Sequence, residues 1–151
     1  MTPGLSEVIT AIVAALQQAH ATFDLSGTDA VKFGDFVTPP VLPFASVGVP
    51  EGESTPEAAE NWHRHTAQVE VRLFATYTVG DANDRARRAL TMLDECMAAI
   101  ATARRTSGNT LRRLARLEFP EYAVIAPATD ADVARATFTV SFEFRRSAGV
   151  G

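Results

Sequence analysis

HTAQVEVRLFATYT, residues 65–78, and VARATFTVSFEFRR, residues 133–146, are two long alternating stretches, and DANDRARRALTMLDECMAAIATA, residues 81–103, runs between them. In the first, Val69, Val71, Leu73, Ala75 and Tyr77 point one way and Gln68, Glu70, Arg72, Phe74 and Thr76 the other. In the second, Ala134, Ala136, Phe138, Val140, Phe142 and Phe144 alternate with Arg135, Thr137, Thr139, Ser141, Glu143 and Arg145. A period of two with one apolar side predicts strands that face a core on one side only. Residues 81–103 change to the helical period, with Ala86, Ala89, Leu90, Leu93, Met97 and Ile100 expected on the buried face. Asp81 suits the N-cap, Arg104 and Arg105 suit the negative end of the helix dipole, and Ser107-Gly108-Asn109 suits the stop.

Working outward, Leu5, Val8, Ile9, Ile12, Val13 and Leu16 share one helical face and predict a helix over 5–20, capped by Ser6 or Thr2. Residues 31–37 (VKFGDFV) alternate as a short strand. Pro39-Pro40 excludes a central strand, and 41–49 (VLPFASVGV) predicts another strand. Residues 50–61 (PEGESTPEAAEN) hold two Pro, one Gly and four Glu without an apolar period, which predicts a flexible loop over about 50–62. LRRLARLEF, 111–119, carries both a leucine spacing of three and an extended ending, and we read a strand at 113–119. YAVIA, 122–126, is a short apolar piece. The order α-β-β-β-α-β-β predicts one α+β domain over residues 1–151. Its antiparallel or mixed sheet has two main helices packed on one face, because strands covered on both faces read as continuous apolar runs.

The length fits one domain with a sizeable core. The net charge of −4 argues against a general nucleic-acid binder, but it is unevenly spread: residues 1–100 carry 6 basic and 13 acidic side chains, residues 101–151 carry 8 and 5. Thirteen of the 14 basic residues are Arg. The single Cys96 excludes an intrachain disulfide and fits a reducing compartment. VITAIVAAL is too short to span a bilayer and lacks a basic flank, so a cytoplasmic protein is expected, with no membrane partner.

The residues that carry chemistry elsewhere form no constellation here. His63 and His65 flank Arg64 beside Trp62, but with distant His20 and Cys96 they make a weak metal signal, better read as a loop-to-strand junction. Cys96 lies inside a helix, away from an N-terminus that would lower its pKa, which favours a structural role. Asp94 and Glu95 are neighbours about 100° apart on a helix and do not converge. There is no glycine-rich phosphate loop and no G-x-S-x-G elbow. No catalytic residue, cofactor or metal is expected. Arg104, Arg105, Arg112, Arg113 and Arg116 fall within 13 residues. They read as phosphate contacts, as a contact with an acidic surface such as Glu51 and Glu53, or as a solvated helix end. Phe74, on the polar side of its strand, reads as an exposed partner surface, and Trp62 as an anchor at the loop's end.

The opening helix LSEVITAIVAALQQA, the segment TPPVLPFASVGV, the strand HTAQVEVRLFATY, the Asp-capped helix DANDRARRALTMLDECMAAI and the closing strand ARATFTVSFEFRR together resemble the tail-terminator (tail-completion) proteins of long-tailed bacteriophages. The resemblance covers most of the chain; the 50–61 stretch and the HRH triplet do not match it. It implies a virion protein at the head-proximal end of the tail. It also implies a homo-oligomeric, hexameric ring that binds the tail-tube protein and the head–tail connector, and through which DNA passes without sequence-specific binding. A different connector or tail-completion protein, or a small α+β enzyme or ligand-binding domain using His63, His65 and Cys96, are the alternatives.

Overall fold

The computed structural model describes residues 3–18, 22–56, 62–76, 82–125 and 133–147. The elements are α1 (Leu5–Leu16), β1 (Val31–Phe33), β2 (Phe44–Val47), β3 (Glu51–Pro56), β4 (Trp62–Thr76), α2 (Ala82–Arg105), a 3₁₀ turn (Thr110–Arg113), β5 (Arg116–Glu118), β6 (Tyr122–Ile125) and β7 (Val133–Ser147). The fold is α+β, with a seven-stranded mixed sheet and two helices against one face, as expected.

The two alternating stretches are the spine. β4 and β7 pair antiparallel over fifteen residues each, from Trp62↔Ser147 to Thr76↔Val133. Short strands flank them in two tiers. β3 and β2 lie along the outer edge of β4, β5 and β6 along the outer edge of β7, and β1 adds to β2 in parallel. The inward sides of both long strands are buried against α1 and α2: Val69, Val71, Leu73 and Ala75 from β4, and Ala134 through Phe144 at every second position from β7. Phe138 is T-shaped against Phe119, with centroids 5.8 Å apart.

α1 begins at Gly4 without a side-chain cap, so Ser6 does not fill that role, and it ends at Leu16; Thr2 lies outside the described residues. Val8, Ile9, Ile12 and Leu16 are its buried stripe; Leu5 is exposed and Val13 half-buried. α2 is rotated from its expected phase. Ala89, Met92, Leu93, Cys96 and Ile100 are buried, Met97 is half-buried and Leu90 is 45% exposed. The sequence offers apolar residues on both sides of that stripe, and contact with α1 as well as the sheet selects among them. Asp81 lies outside the described residues. Gly108, at φ 83°, takes the left-handed conformation that lets the chain leave the helix.

Two segments differ from their sequence reading. Residues 51–56, expected as part of a loop, form β3, hydrogen-bonded to 63–68 of β4. All six residues of β3 are exposed. Backbone pairing needs no hydrophobic period, and a strand with solvent on both sides shows none. Gly52 is required where it stands, because a Cβ there would overlap the Thr66 carbonyl. Residues 57–61 lie outside the described residues. The 113–119 strand shortens to Arg116–Glu118, since the Asn109 side chain accepts from the Leu111 amide at 2.9 Å and starts a 3₁₀ turn that buries Leu111. No helix among the described residues is long and apolar enough to cross a membrane.

Candidate interaction surfaces

The face of the sheet away from the helices divides into two parts. Towards the β2 end, the segment after β1 folds over it. Phe36, Phe44, Phe74 and Val133 form a small second core there. Phe36 meets Phe44 edge-on at 5.2 Å, Phe44 lies 6.0 Å from Phe74, and the Arg135 guanidinium sits 5.5 Å above the Phe74 ring. Phe74 is only 3% exposed. It is therefore not the exposed partner surface expected from its polar neighbours. The reason is that FVTPPVLPF, residues 36–44, brings Phe36 and Phe44 over the back of the sheet, and nothing in the alternation of β4 alone announces that cover. Ser46 fixes the cover in place: its hydroxyl donates to the Gly34 carbonyl and accepts from the Phe36 amide, while Arg72 Nη1 donates to the Phe36 carbonyl.

Towards the β3 end, the same face is polar. Thr66, Gln68 and Glu70 of β4 stand beside Thr139, Ser141 and Glu143 of β7. Arg72 is held to Glu70 at 2.7 Å and Arg116 lies 3.8 Å from Glu143, so positive charge here is matched by carboxylates. The patch has no apolar pull of its own.

The arginine cluster separates into distinct jobs. Arg104 Nη1 donates to the carbonyls of Leu111 and Leu114, at 2.7 and 3.1 Å, tying the end of α2 to the 3₁₀ turn. Arg112 Nη1 donates to the Arg105 carbonyl at 3.0 Å, and Arg105 Nε to that of Ala101 at 3.3 Å. These bonds satisfy carbonyls that a helix end leaves open. Arg113 and Arg116 are exposed, and Arg116 projects from β5. Glu51 and Glu53 are exposed on β3. β3 and β5 lie on opposite edges of the sheet, so the acidic and basic residues do not meet within one chain. Trp62 opens β4 opposite Ser147, and its side chain lies outside the described residues.

The histidines do not converge. His63 Nδ1 pairs with the Ser54 hydroxyl at 3.3 Å, while His65 stacks on Phe144 at 5.0 Å and 9°. His20 lies outside the described residues. Among the described residues no three His, Cys, Asp or Glu side chains gather as a metal site. Cys96 is buried, and that burial, aided by the charge of Glu95, pushes its thiol up to about 12. It is the opposite of an activated nucleophile. Glu95 turns instead towards the Thr22 amide, which it accepts at 2.5 Å, and Asp94 stays exposed.

The sheet edges are where sequence reasoning found least. β1 ends one side with Phe33, 54% exposed, and β6 ends the other with Tyr122, 65% exposed, and Ile125. Beside Phe33, an apolar groove of about 630 Å³ runs between α1 and β1, lined by Leu5, Ile9, Val13, Phe33 and Pro50. The signal available was short: an apolar YAVI piece and a VKF piece in a chain whose long strands already supply the core.

No protein-family model matches the chain, and no curated protein sequence matches it. Among solved structures, a chain of the virion of the native gene transfer agent (GTA) particle shares the fold, with TM-score 0.55 and 16% identity. The match covers 92% of this chain and 95% of that one.

Proposed function

We propose that this protein is a structural part of a phage-like virion, a tail terminator rather than an enzyme. The observation that carries the reading is the whole-chain correspondence with a component of a gene transfer agent virion, which leaves few residues of either chain outside the shared fold. In this reading the protein closes into a hexameric ring on the last ring of tail-tube subunits, ends tube growth and presents a docking face to the head–tail connector. DNA passes through the channel without sequence-specific contacts. The mechanism is geometric: a head-to-tail contact that closes after a fixed number of copies makes a ring instead of a filament. The open edge strands on the two sides of the sheet support such a contact, since each copy carries both halves.

Light scattering on the purified protein, alone and with purified tail tubes, tests the reading. A closed oligomer of about six copies, or capped tubes of arrested length in electron micrographs, is the expected result. A protein that stays monomeric at high concentration and leaves tube growth unchanged overturns it.

A further inference from the structure

The register of the sheet aligns its two edges residue by residue. One row runs Phe33–Val47–Val71–Phe138–Tyr122 across five strands. Val71 and Phe138 point into the helix-covered core, so Phe33 and Tyr122 end the same row on that face. The row therefore has complementary, apolar ends at equal height. Strand direction agrees. β1 is parallel to β2, β2 is antiparallel to β4, β4 to β7 and β7 to β6, so β1 of one copy and β6 of another placed alongside in the same orientation run antiparallel.

We propose that copies of this chain join edge to edge, β1 of one against β6 of the next, so that the sheet continues from subunit to subunit. The proposal rests on the ring reading above and names the contact that builds it. Tyr122 of one copy enters the groove between α1 and β1 of the next, beside Phe33. Edge strands left open are templates for another strand, and main-chain pairing with side chains in a flanking groove is an established mode of strand addition.

Directly opposed residues of antiparallel strands have Cα atoms about 4.5–5.5 Å apart, within the range that a disulfide spans. The double variant Phe33→Cys/Tyr122→Cys is therefore expected to give a ladder of covalent multimers on mild oxidation, read on a denaturing gel. Buried Cys96 stays silent. The control pair Leu90→Cys/Tyr122→Cys, with Leu90 exposed on α2, is expected to give none. Tyr122→Asp, at an exposed position, is expected to keep the melting temperature and to weaken association at least tenfold by light scattering. Rings that form normally without a 33–122 ladder, or that tolerate Tyr122→Asp, overturn the edge contact and leave the ring itself standing. A wild-type protein that remains monomeric, with and without tail tubes, overturns both.

Discussion

Phe74 lies against Phe44 with ring centroids 6.0 Å apart, on the face of the sheet opposite the main core. The pair makes the fold two-sided where the β4 alternation reads as one-sided. Both rings are at most 3% exposed, so truncation leaves a cavity as well as losing apolar burial. Phe74→Ala is expected to cost about 3 kcal/mol, at the lower end for buried Phe because this cluster is small and near the surface. Urea unfolding of the monomer measures it. A loss below about 0.5 kcal/mol would return Phe74 to the surface role that its neighbours in sequence suggest.

β3 gives a sharper local expectation. The Cβ added by Gly52→Ala collides with the Thr66 carbonyl in the paired strand. The substitution is expected to loosen β3 from β4 while leaving α2 and the core rows intact. Hydrogen exchange by mass spectrometry reads this directly: the amides of 51–56 that pair with β4 are protected in the wild type and exchange faster in the variant, with protection over 89–100 unchanged. Equal exchange in the two proteins, already fast in the wild type, would mean that the segment is a loop after all.

What the sequence made legible follows from where burial writes a period. β4 and β7 each bury every second residue over most of their length, and α1 buries a helical stripe, so composition and position agree there. β3 buries nothing and β6 little, so their pairing left no pattern to read. Phe74 was visible as an aromatic out of phase, but its burial depends on Phe36 and Phe44, which reach it through a Pro-rich segment far away in the chain. The arginine cluster was legible as charge and misleading as a unit. Whether an arginine points to solvent or to carbonyls depends on the Gly108 turn, which bends the chain back over the end of α2. The two edges of the sheet, with Phe33 and Tyr122 at the ends of one row, needed the register itself.

Arg104 and Arg105 are adjacent and equally charged, and the structure separates them. Arg104 is half-buried and bonded to two carbonyls outside its helix. Arg105 is exposed and bonded to one within it. Arg104→Ala is expected to destabilise the monomer by about 2 kcal/mol, because two half-buried carbonyls lose a charged donor. Arg105→Ala is expected to stay within about 0.5 kcal/mol, as surface substitutions usually do. Thermal unfolding of the two variants side by side checks the difference, and equal shifts would remove the link between α2 and the 3₁₀ turn from the stability of the fold.

Cys96 ties stability to pH with a definite sign. Burial, the larger cause, and the neighbouring Glu95 charge hold its folded thiol protonated up to about 12, against 9.0 for the ordinary group. Between those values the unfolded chain has released its proton while the folded one keeps it. The unfolded state binds fewer protons there, so stability is intact below pH 9 and falls as pH rises towards 12. One proton corresponds to a slope of at most about 1.4 kcal/mol per pH unit. The comparison is with Cys96→Ala, which removes the thiol and leaves every other side chain in place. The variant is expected to be less stable at pH 7, because a buried side chain is shortened, and to lose stability less steeply above pH 9. The same geometry makes the native thiol inert: alkylation by iodoacetamide at pH 8 is expected only after denaturation. Parallel stability curves for wild type and variant above pH 9, together with rapid alkylation of the native protein, would place Cys96 at the surface and move the phase of α2 back towards Met97.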